Sequence, residues 1–402
     1  MRLSLSTTCL ISVLFGITAP QITSASDGRD QAAFLVRKLG SLSFVDREAA
    51  HKELMRLGSA ALPALRDGLK SDDLEIKRRC KELIPAIEKA EWAQKANAYE
   101  MDRKGEQQSP LPLQKEYEKL VGTDPSARTL FAEILRTNGA FLQQMVDASD
   151  GRQKVYEMKC RAIFPSSNDR IELDAAMEQV GKMPPGDLAA LLLVADVFKV
   201  DQPVSYSDRN HIADLLGNPG FGEGVKSQKI GKAFSHLLVI WAQNQRFSST
   251  TFQYFLHFVY TEKFTEGLVV VRQMIQATGH NEPCLDIRAV GEKVLAEVGG
   301  KGVNEELDNL RKDQRVLLRT RDQESPLEIR LGDQALAAFI FRTGANPREF
   351  GMAEYPTSVL TPPGIDLWRF PLYGFTSDRD RRKAVKEWSS SQSKKQNGSA
   401  GQ

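Results

Sequence analysis

Within the stretch DREAAHKELMRLGSAALPALRDGL, residues 46–69, a helical pattern is interrupted and then resumes at once. The residues before the interruption place apolar side chains on one helical stripe: Ala50, Leu54 and Leu57. Asp46 is a candidate N-cap, and Gly58 is able to take the positive φ that ends a helix. Pro63 suits the first turn of a second helix, because that turn needs no N–H donor. We therefore predict two short helices packed as a hairpin.

The same pattern recurs further along the chain. Lys-Glu-Leu at residues 52–54 is repeated at residues 81–83, an offset of 29 residues. Ser-Asp-Asp at residues 71–73 gives a turn and cap signal, and an apolar stripe follows: Ile76, Cys80, Leu83, Ile84 and Ile87. Helix pairs that repeat every few tens of residues are typical of solenoids, in which each unit buries its apolar face against the next.

Several other stretches share this helical character. They are LVGTDPSARTLFAEILRTNGAFLQQM at 120–145, FTEGLVVVRQMI at 264–275, IRLGDQALAAFIFRTGANPREFG at 329–351 and GFTSDRDRRKAVKEW at 374–388. In their order, these stretches and the repeat resemble short HEAT-like repeats, and more closely a group of exported bacterial HEAT-like proteins of unassigned function. The resemblance covers most of the chain after residue 25. It implies an α-helical scaffold and carries over no catalytic residue.

The middle of the chain departs from that resemblance. Stretches such as DLAALLLVADVF at 187–198 and AFSHLLVIWAQ at 233–243 indicate mostly buried helices, but no repeat is in register there. Strand-like alternation is nearly absent. We predict an all-α fold of α-solenoid-like helix hairpins (HEAT-like repeats) with an irregular helical middle section.

Breaks in periodicity divide the chain into parts. The segment IRAVGEKVLAEVGG at 287–300 echoes residues 329–344, which predicts a second HEAT-like pair near the C-terminus. The expected organisation is a signal peptide at 1–25, an N-terminal HEAT-like repeat module at 26–95, a linker at 96–112, a central helical region at 113–279, C-terminal HEAT-like repeats at 280–350, a cap segment at 351–388 and a disordered tail at 389–402.

The N-terminal segment indicates export. Arg2 is followed by an apolar run from Cys9 to Ala19 and by small residues that end at Ala25, the order found in a secretory signal peptide. The run has 11 residues, whereas a membrane-spanning helix needs about 20. We expect cleavage after Ala25, no transmembrane span in the mature chain, and a periplasmic or extracellular location.

Charge and cysteine content exclude two classes of protein. Without residues 1–25, 53 Lys and Arg face 52 Asp and Glu, so no strong positive field is present and no nucleic acid is expected as a partner. Three cysteines remain, Cys80, Cys160 and Cys284, which permit at most one disulfide. Packing must therefore stabilise the fold.

No motif for catalysis or cofactor binding is recognisable. The five histidines lack metal-ligand spacing and no CxxC pair exists, so we expect no metal and no cofactor. Ser235 and His236 are sequence neighbours, which do not face each other on a helix. An enzyme or ligand-binding protein acting outside the cytoplasm remains the alternative, with a site assembled in the central helices near His211, His236 or His257.

Two further segments are interpreted as structural. Gly220–Gly224 looks like a phosphate-binding loop, but Lys226 stands where glycine is needed, separated by four residues from Gly231-Lys232, Ala233 stands where a hydroxyl is needed, and no strand precedes it. It is interpreted as a flexible interhelical loop. The aromatic run FQYFLHFVY at 252–260 is interpreted as core, with a ligand pocket around His257 as the alternative.

A protein-binding surface is the remaining functional prediction. The favoured function is an exported, non-catalytic scaffold that binds another protein through an extended surface. Its candidate residues are Arg66, Lys70 and Arg78 on the N-terminal helices and Trp368, Phe370 and Tyr373 in LTPPGIDLWRFPLYGF at 360–375. The alternative for the aromatic residues is a cap that covers the apolar end of the last repeat.

Overall fold

A computed structural model describes residues 25–102, 111–163, 181–200, 211–244, 249–276, 285–320, 326–355 and 371–399. The chain divides into two compact units, one ending at Glu91 and one beginning at Trp92. Most of residues 1–25, the predicted signal peptide, lie outside the described residues. Among the described residues, no helix combines the length and the apolar character needed to cross a membrane.

The N-terminal unit is built from short helices, as the interrupted pattern predicts. The elements are α1 Ala25–Lys38, α2 Phe44–Leu57, α3 Leu62–Gly68 and the first part of α4 Leu74–Met101. Helix α1 packs against both α2 and α3. The apolar stripes form one core: Ala32, Val36, Leu39, Ala50, Leu54, Ala61, Leu62, Leu65, Cys80, Leu83 and Ile87.

The helix stop is confirmed, and the predicted cap is one turn too late. Gly58 has φ 60° and its N–H donates to the carbonyls of Leu54 and Met55, while Pro63 lies in the first turn of α3. The N-cap of α2 is Ser43, whose hydroxyl accepts a hydrogen bond from the backbone N–H of Asp46. Asp46 instead lies in the first turn, where a carboxylate complements the helix dipole.

Helix ends in the N-terminal unit recur at a fixed spacing. Helix α1 ends at Lys38 and α3 ends at Gly68, which is 30 residues later. Helix α2 begins at Phe44 and α4 begins at Leu74, again 30 residues later. The spacing of the helix ends is thus one residue longer than the offset seen in the sequence.

The C-terminal unit begins with the end of α4 and continues with a packed set of helices. These are α5 Gln114–Val121, α6 Pro125–Asp147, α7 Arg152–Ile163, α8 Pro185–Phe198, α9 His211–Leu215, α10 Pro219–Lys226, α11 Gly231–Asn244, α12 Ser249–Glu262 and α13 Leu268–Gln276. Helix α8 packs against α6 and α11, and every residue from Leu188 to Asp196 is buried. A helix that is apolar on all sides belongs in a core, which explains its lack of amphipathic periodicity.

The last part of the chain adds helices and two small β-ribbons. The helices are α14 Leu285–Val298, α15 Asn304–Leu310, α16 Leu331–Arg342 and α17 Asp378–Ser399, and the strands are β1 Val316–Arg319, β2 Glu328–Arg330, β3 Ala353–Tyr355 and β4 Leu372–Gly374. Strand β1 pairs antiparallel with β2, and β3 pairs antiparallel with β4. The protein is therefore predominantly helical, as predicted, but not wholly so.

Three segments are more helical than expected. Helix α4 continues to Met101, through part of the predicted linker, because Ala96 and Tyr99 are buried in the core. Helix α17 continues through the predicted tail to Ser399. The glycine-rich segment 220–224 lies in helix α10, which Asn218 caps by accepting a hydrogen bond from the Gly220 N–H.

Candidate functional site

The predicted basic surface residues are exposed, and each is already paired. The ion pairs lie within the N-terminal unit: Arg66 with Glu88 at 3.1 Å, Lys70 with Asp67 at 2.9 Å, and Arg78 with Glu75 at 2.9 Å and Glu82 at 3.2 Å. Exposed pairs of this kind contribute little energy and cancel most of the field. These residues therefore form a solvated, locally neutral face.

Tyr373 lies in β4 and is only 6% exposed. Its backbone N–H donates to Gln334 Oε1 at 3.2 Å, and Gln334 Nε2 donates to its carbonyl oxygen. Tyr373 therefore offers almost no surface to a partner. Trp368 and Phe370 lie outside the described residues.

The N-terminal unit exposes a group of large apolar side chains at the start of two helices. We call it the N-terminal edge; its members and exposed fractions are Leu42 at 102%, Phe44 at 63%, Val45 at 74% and Leu74 at 79%. Phe44 and Leu74 are the first residues of α2 and α4, so they occupy equivalent places in two successive helix pairs. Exposed turns usually carry polar residues. At the N-terminal edge, the turn before α2 and the turn before α4 are both followed by an exposed apolar side chain.

Local capping chemistry explains why Leu42 is exposed. Leu42 precedes the N-cap Ser43, and an apolar residue at that position commonly packs on the fourth residue of the helix. That residue is Arg47, which is polar. Leu42 consequently lacks the apolar neighbour that would bury it.

Arg47 holds the turn of the N-terminal edge in place. Its Nη1 donates to the carbonyl oxygens of Ser41 at 2.7 Å and Leu42 at 3.1 Å. Its guanidinium carbon lies 5.8 Å from the centre of the Phe44 ring, a distance at which a cation and a ring attract. Its Nε lies 3.6 Å from the Glu75 carboxylate. Arg47 thus holds this turn through contacts within the N-terminal unit.

A buried arginine joins the two helices that begin at the N-terminal edge. Arg79 on α4 is 8% exposed at its side chain; its Nε lies 2.7 Å from Glu75, and its Nη1 lies 2.9 Å from Glu48 on α2. Hydrogen bonds from Arg78, and then from Arg79, lower the pKa of Glu75 to about 2. A Cβ on Gly40 would lie 2.6 Å from Asp73 Oδ2, so the turn before α2 lies against the turn before α4.

A polar cavity of about 500 Å³ lies in the C-terminal unit. We call it the C-terminal cavity; its lining residues are Arg311, Lys312, Asp313, Gln314, Arg330, Gly332, Asp333, Leu336, Asp378, Arg381, Arg382 and Val385. They come from the segment after α15 and from the beginnings of α16 and α17. Sequence reasoning missed this site because its three segments are distant in the chain and match no motif.

Close packing fixes the wall of the C-terminal cavity. A Cβ on Gly332 would collide with the carbonyl oxygen of Arg311, so glycine is required where α16 approaches the segment after α15. Asp333 accepts a hydrogen bond from the Arg330 N–H at 2.8 Å, and Arg381 donates to both of its oxygens. Asp333 and Arg381 are both buried. Such buried pairs are costly to break, so this pair anchors α17 to the beginning of α16.

A buried carboxyl group on α14 has unusual surroundings. Glu292 is 1% exposed, and neither of its oxygens has a hydrogen-bond partner among the described residues. Burial raises its pKa well above the ordinary value, and the charge of Asp313 raises it further, while Arg288 opposes the shift. Burial therefore favours the neutral acid over the anion, because a neutral acid costs less to bury.

Ser235 and His236 do not form a nucleophile–base pair. Ser235 is buried while His236 is exposed, so the two side chains point to opposite sides of α11, as expected for helical neighbours. His236 Nε2 lies 3.1 Å from the carbonyl oxygen of Leu120. Among the described residues, no three His, Cys, Asp or Glu side chains are grouped so that they could hold a metal ion.

The aromatic run on α12 packs in the core, the interpretation favoured from the sequence. Phe252, Phe255 and Phe258 are buried. The Phe258 ring lies 6.0 Å from that of Phe221 and 5.7 Å from that of Phe264, in edge-to-face contacts. These rings stabilise the central helices.

No family model matches the chain, and neither a curated protein nor a solved structure matches it. The N-terminal edge and the C-terminal cavity are therefore assessed on their own geometry.

Proposed function

We propose that this protein is an exported, non-catalytic scaffold that binds another protein, and that the partner docks on the N-terminal edge. The exposure of Leu42, Phe44, Val45 and Leu74 is the observation that supports this proposal most directly. Contiguous apolar surface on a soluble protein usually marks a binding site. Large apolar and aromatic side chains at the centre of an interface also contribute most of the binding energy.

The equivalence of Phe44 and Leu74 supports a repeat-built surface. Each residue begins the second helix of a pair, and the two pairs are spaced by 30 residues. In HEAT-like arrays, successive helix pairs place equivalent residues side by side and so form extended binding surfaces. On this proposal, α1 to α4 form two short repeats whose turns make one continuous docking edge.

Preorganisation supports docking at this place. Arg47 bonds the carbonyls of Ser41 and Leu42, and Arg79 joins α2 to α4 through Glu48 and Glu75. A surface that is already ordered loses little conformational entropy when it binds. The apolar edge is therefore ready to bind without rearrangement.

The charges beside the edge indicate the partner's chemistry. Asp46 and Asp72 are exposed, and neither forms an ion pair with any residue that the structure describes. Lys70, by contrast, is paired with Asp67. The partner surface should therefore have an apolar centre with lysine or arginine at its rim, because complementary charges steer association and fix its register.

Affinity capture with matched variants tests the proposal. Tagged protein from Ser26 onward is incubated with the exported fraction of its source cells, and bound proteins are identified by mass spectrometry. The edge variant is Phe44→Ser with Leu74→Ser. The control is Met158→Ser, which removes an apolar side chain that is 62% exposed on α7. Thermal unfolding verifies that all three proteins are folded.

The expected result is a protein partner retained by the wild type and the control but lost from the edge variant. Lower capture at high salt would match the proposed charged rim. Equal capture by all three proteins would place the docking surface elsewhere. Sedimentation velocity tests whether the partner is a second copy of this chain. Self-association of the wild type that is abolished in the edge variant would show that the N-terminal edge forms a homodimer and does not bind a different protein.

A further inference from the structure

We propose that the C-terminal cavity binds the phosphate group of a small, hydroxyl-rich molecule. This inference is independent of protein docking at the N-terminal edge. It concerns a different unit of the chain and is tested with a different ligand.

The lining of the cavity has an excess of positive charge. Five of its side chains are cationic and three are carboxylates. The cations are Arg311, Lys312, Arg330, Arg381 and Arg382, and the carboxylates are Asp313, Asp333 and Asp378. A concave site with one predominant sign of charge concentrates ligands of the opposite sign.

Three of the five cations are already paired with carboxylates. Arg311 Nε lies 2.5 Å from Asp308, and the guanidinium groups of Arg330 and Arg381 lie against acidic side chains of the same region: Glu328, Asp333 and Asp378. These arginines build the wall. They are not needed to supply charge to a ligand.

Lys312 and Arg382 are the two uncommitted cations. Neither forms an ion pair with any residue in the described part of the chain, and Lys312 Nζ only donates to Asn309 Oδ1 at 2.9 Å. They approach the cavity from different elements, Lys312 from the segment after α15 and Arg382 from the first turns of α17. An arginine fork and a mobile ammonium together suit a doubly charged phosphate group.

Two helix beginnings converge on the same cavity. Gly332 and Asp333 in the first turn of α16 line it, and so does Asp378, the first residue of α17. The first turn of a helix has a partial positive charge that favours anions. In α16 the N–H groups of Leu331 and Gly332 already donate to the carbonyl oxygens of Arg315 and Asp313, so the contribution there is that of the helix dipole. The helix ends thus add to the field of Lys312 and Arg382.

The size and polarity of the cavity define the rest of the ligand. Its volume of about 500 Å³ exceeds what an inorganic ion needs and lies in the range of small-molecule sites. Only Leu336 and Val385 among its lining residues are apolar. Asp378 contacts Arg330 and Arg381 through Oδ1, which leaves its Oδ2 to accept hydrogen bonds from hydroxyl groups. A phosphorylated sugar or polyol matches both parts of the site, since its phosphate suits the cations and its hydroxyl groups suit the hydrogen-bond acceptors.

Isothermal titration calorimetry of the protein from Ser26 onward tests this proposal. The probes are ribose 5-phosphate, inorganic phosphate and ribose. The cavity variant is Lys312→Gln with Arg382→Gln. The control variant is Lys383→Gln with Lys386→Gln, which removes two exposed lysines of α17 that do not line the cavity. Both variants remove the same net charge, so the comparison isolates position.

We expect saturable binding of ribose 5-phosphate to the wild type and the control, and affinity at least about tenfold lower in the cavity variant. Ribose should not bind, because it lacks the anion. No saturable binding of ribose 5-phosphate would overturn the proposal, as would equal affinity in both variants. Binding of inorganic phosphate alone would also overturn it, because the cavity would then exclude the attached polyol.

Discussion

Asp333 and Arg381 form a buried, bidentate ion pair across 48 residues of sequence. Arg381 Nε donates to Asp333 Oδ1 at 2.8 Å, and Arg381 Nη2 donates to Asp333 Oδ2 at 3.1 Å. Burial raises the pKa of Asp333 although Arg381 opposes that shift. Removing water from the Asp333 carboxylate is costly, and the ion pair with Arg381 offsets part of that cost.

Replacing one partner of this ion pair should lower the stability more than replacing both partners. Arg381→Met leaves the Asp333 charge without its main partner and should lower the free energy of unfolding by about 3–5 kcal/mol. Adding Asp333→Asn removes the stranded charge and should recover part of that loss. Urea denaturation of the wild type, both single variants and the double variant measures the coupling. Additive losses would show that the two residues act independently.

Arg79 should be a main stabilising residue of the N-terminal unit. Arg79→Gln removes its charge-assisted hydrogen bonds to Glu48 and Glu75 and should cost about 1–2 kcal/mol. The control Arg56→Gln breaks an exposed pair with Glu53 and should change the stability much less, because solvent screens exposed ion pairs. Urea denaturation measures both. Similar losses in the two variants would contradict the structural role assigned to Arg79.

The packing of Gly139 against Trp92 should not tolerate a methyl group. A Cβ on Gly139 would collide with the Trp92 ring, whereas a Cβ on Gly302 would meet nothing within 4 Å. Alanine normally stabilises a helix relative to glycine, but here overpacking should win and cost about 1–3 kcal/mol. Thermal unfolding of Gly139→Ala and of the control Gly302→Ala checks this. A gain in stability for Gly139→Ala would contradict the contact.

Glu292 should make stability depend on pH. Its folded-state pKa is raised by burial and by Asp313, against Arg288. Its favourable contribution is therefore fully present below the unfolded pKa of about 4.3 and is lost as pH rises through the folded value. Glu292→Gln should be about as stable as the wild type below that pH and more stable at pH 8.

Urea denaturation of both proteins at several pH values measures this difference. The control is Glu116→Gln, which replaces an exposed side chain of α5 and should therefore change the free energy of unfolding little. A wild type with a higher free energy of unfolding than Glu292→Gln at pH 8 would show that the carboxylate has a partner in solution.

Local chemistry predicts much of the helical structure. The stop at Gly58 and the restart at Pro63 follow from backbone preferences that need no knowledge of the rest of the fold. The burial of Phe252, Phe255 and Phe258 follows from their aromatic character. The two β-ribbons were missed because their strands have three or four residues, too few to show alternation.

The candidate sites were harder to predict because they depend on distant contacts. Arg78 was selected from the sequence for its charge, yet the carboxylates of Glu75 and Glu82 neutralise it. Phe44 and Leu74 follow residues that the sequence marks as helix caps. Their exposure could not be predicted from the sequence, because it depends on how both turns pack. The partner of Asp333 lies 48 residues away, and no periodicity connects them.

Helix α10 has a consequence for the order in which the C-terminal unit folds. Its sequence PGFGEGVK has three glycines in eight residues, and each glycine costs a helix about 1 kcal/mol relative to alanine. So short a helix has no stability of its own. It gains its shape when Phe221 packs against Phe234 and Phe258, with ring centres 5.8 and 6.0 Å apart. We therefore expect the neighbouring helices to assemble first and α10 to close the central core late on the folding pathway.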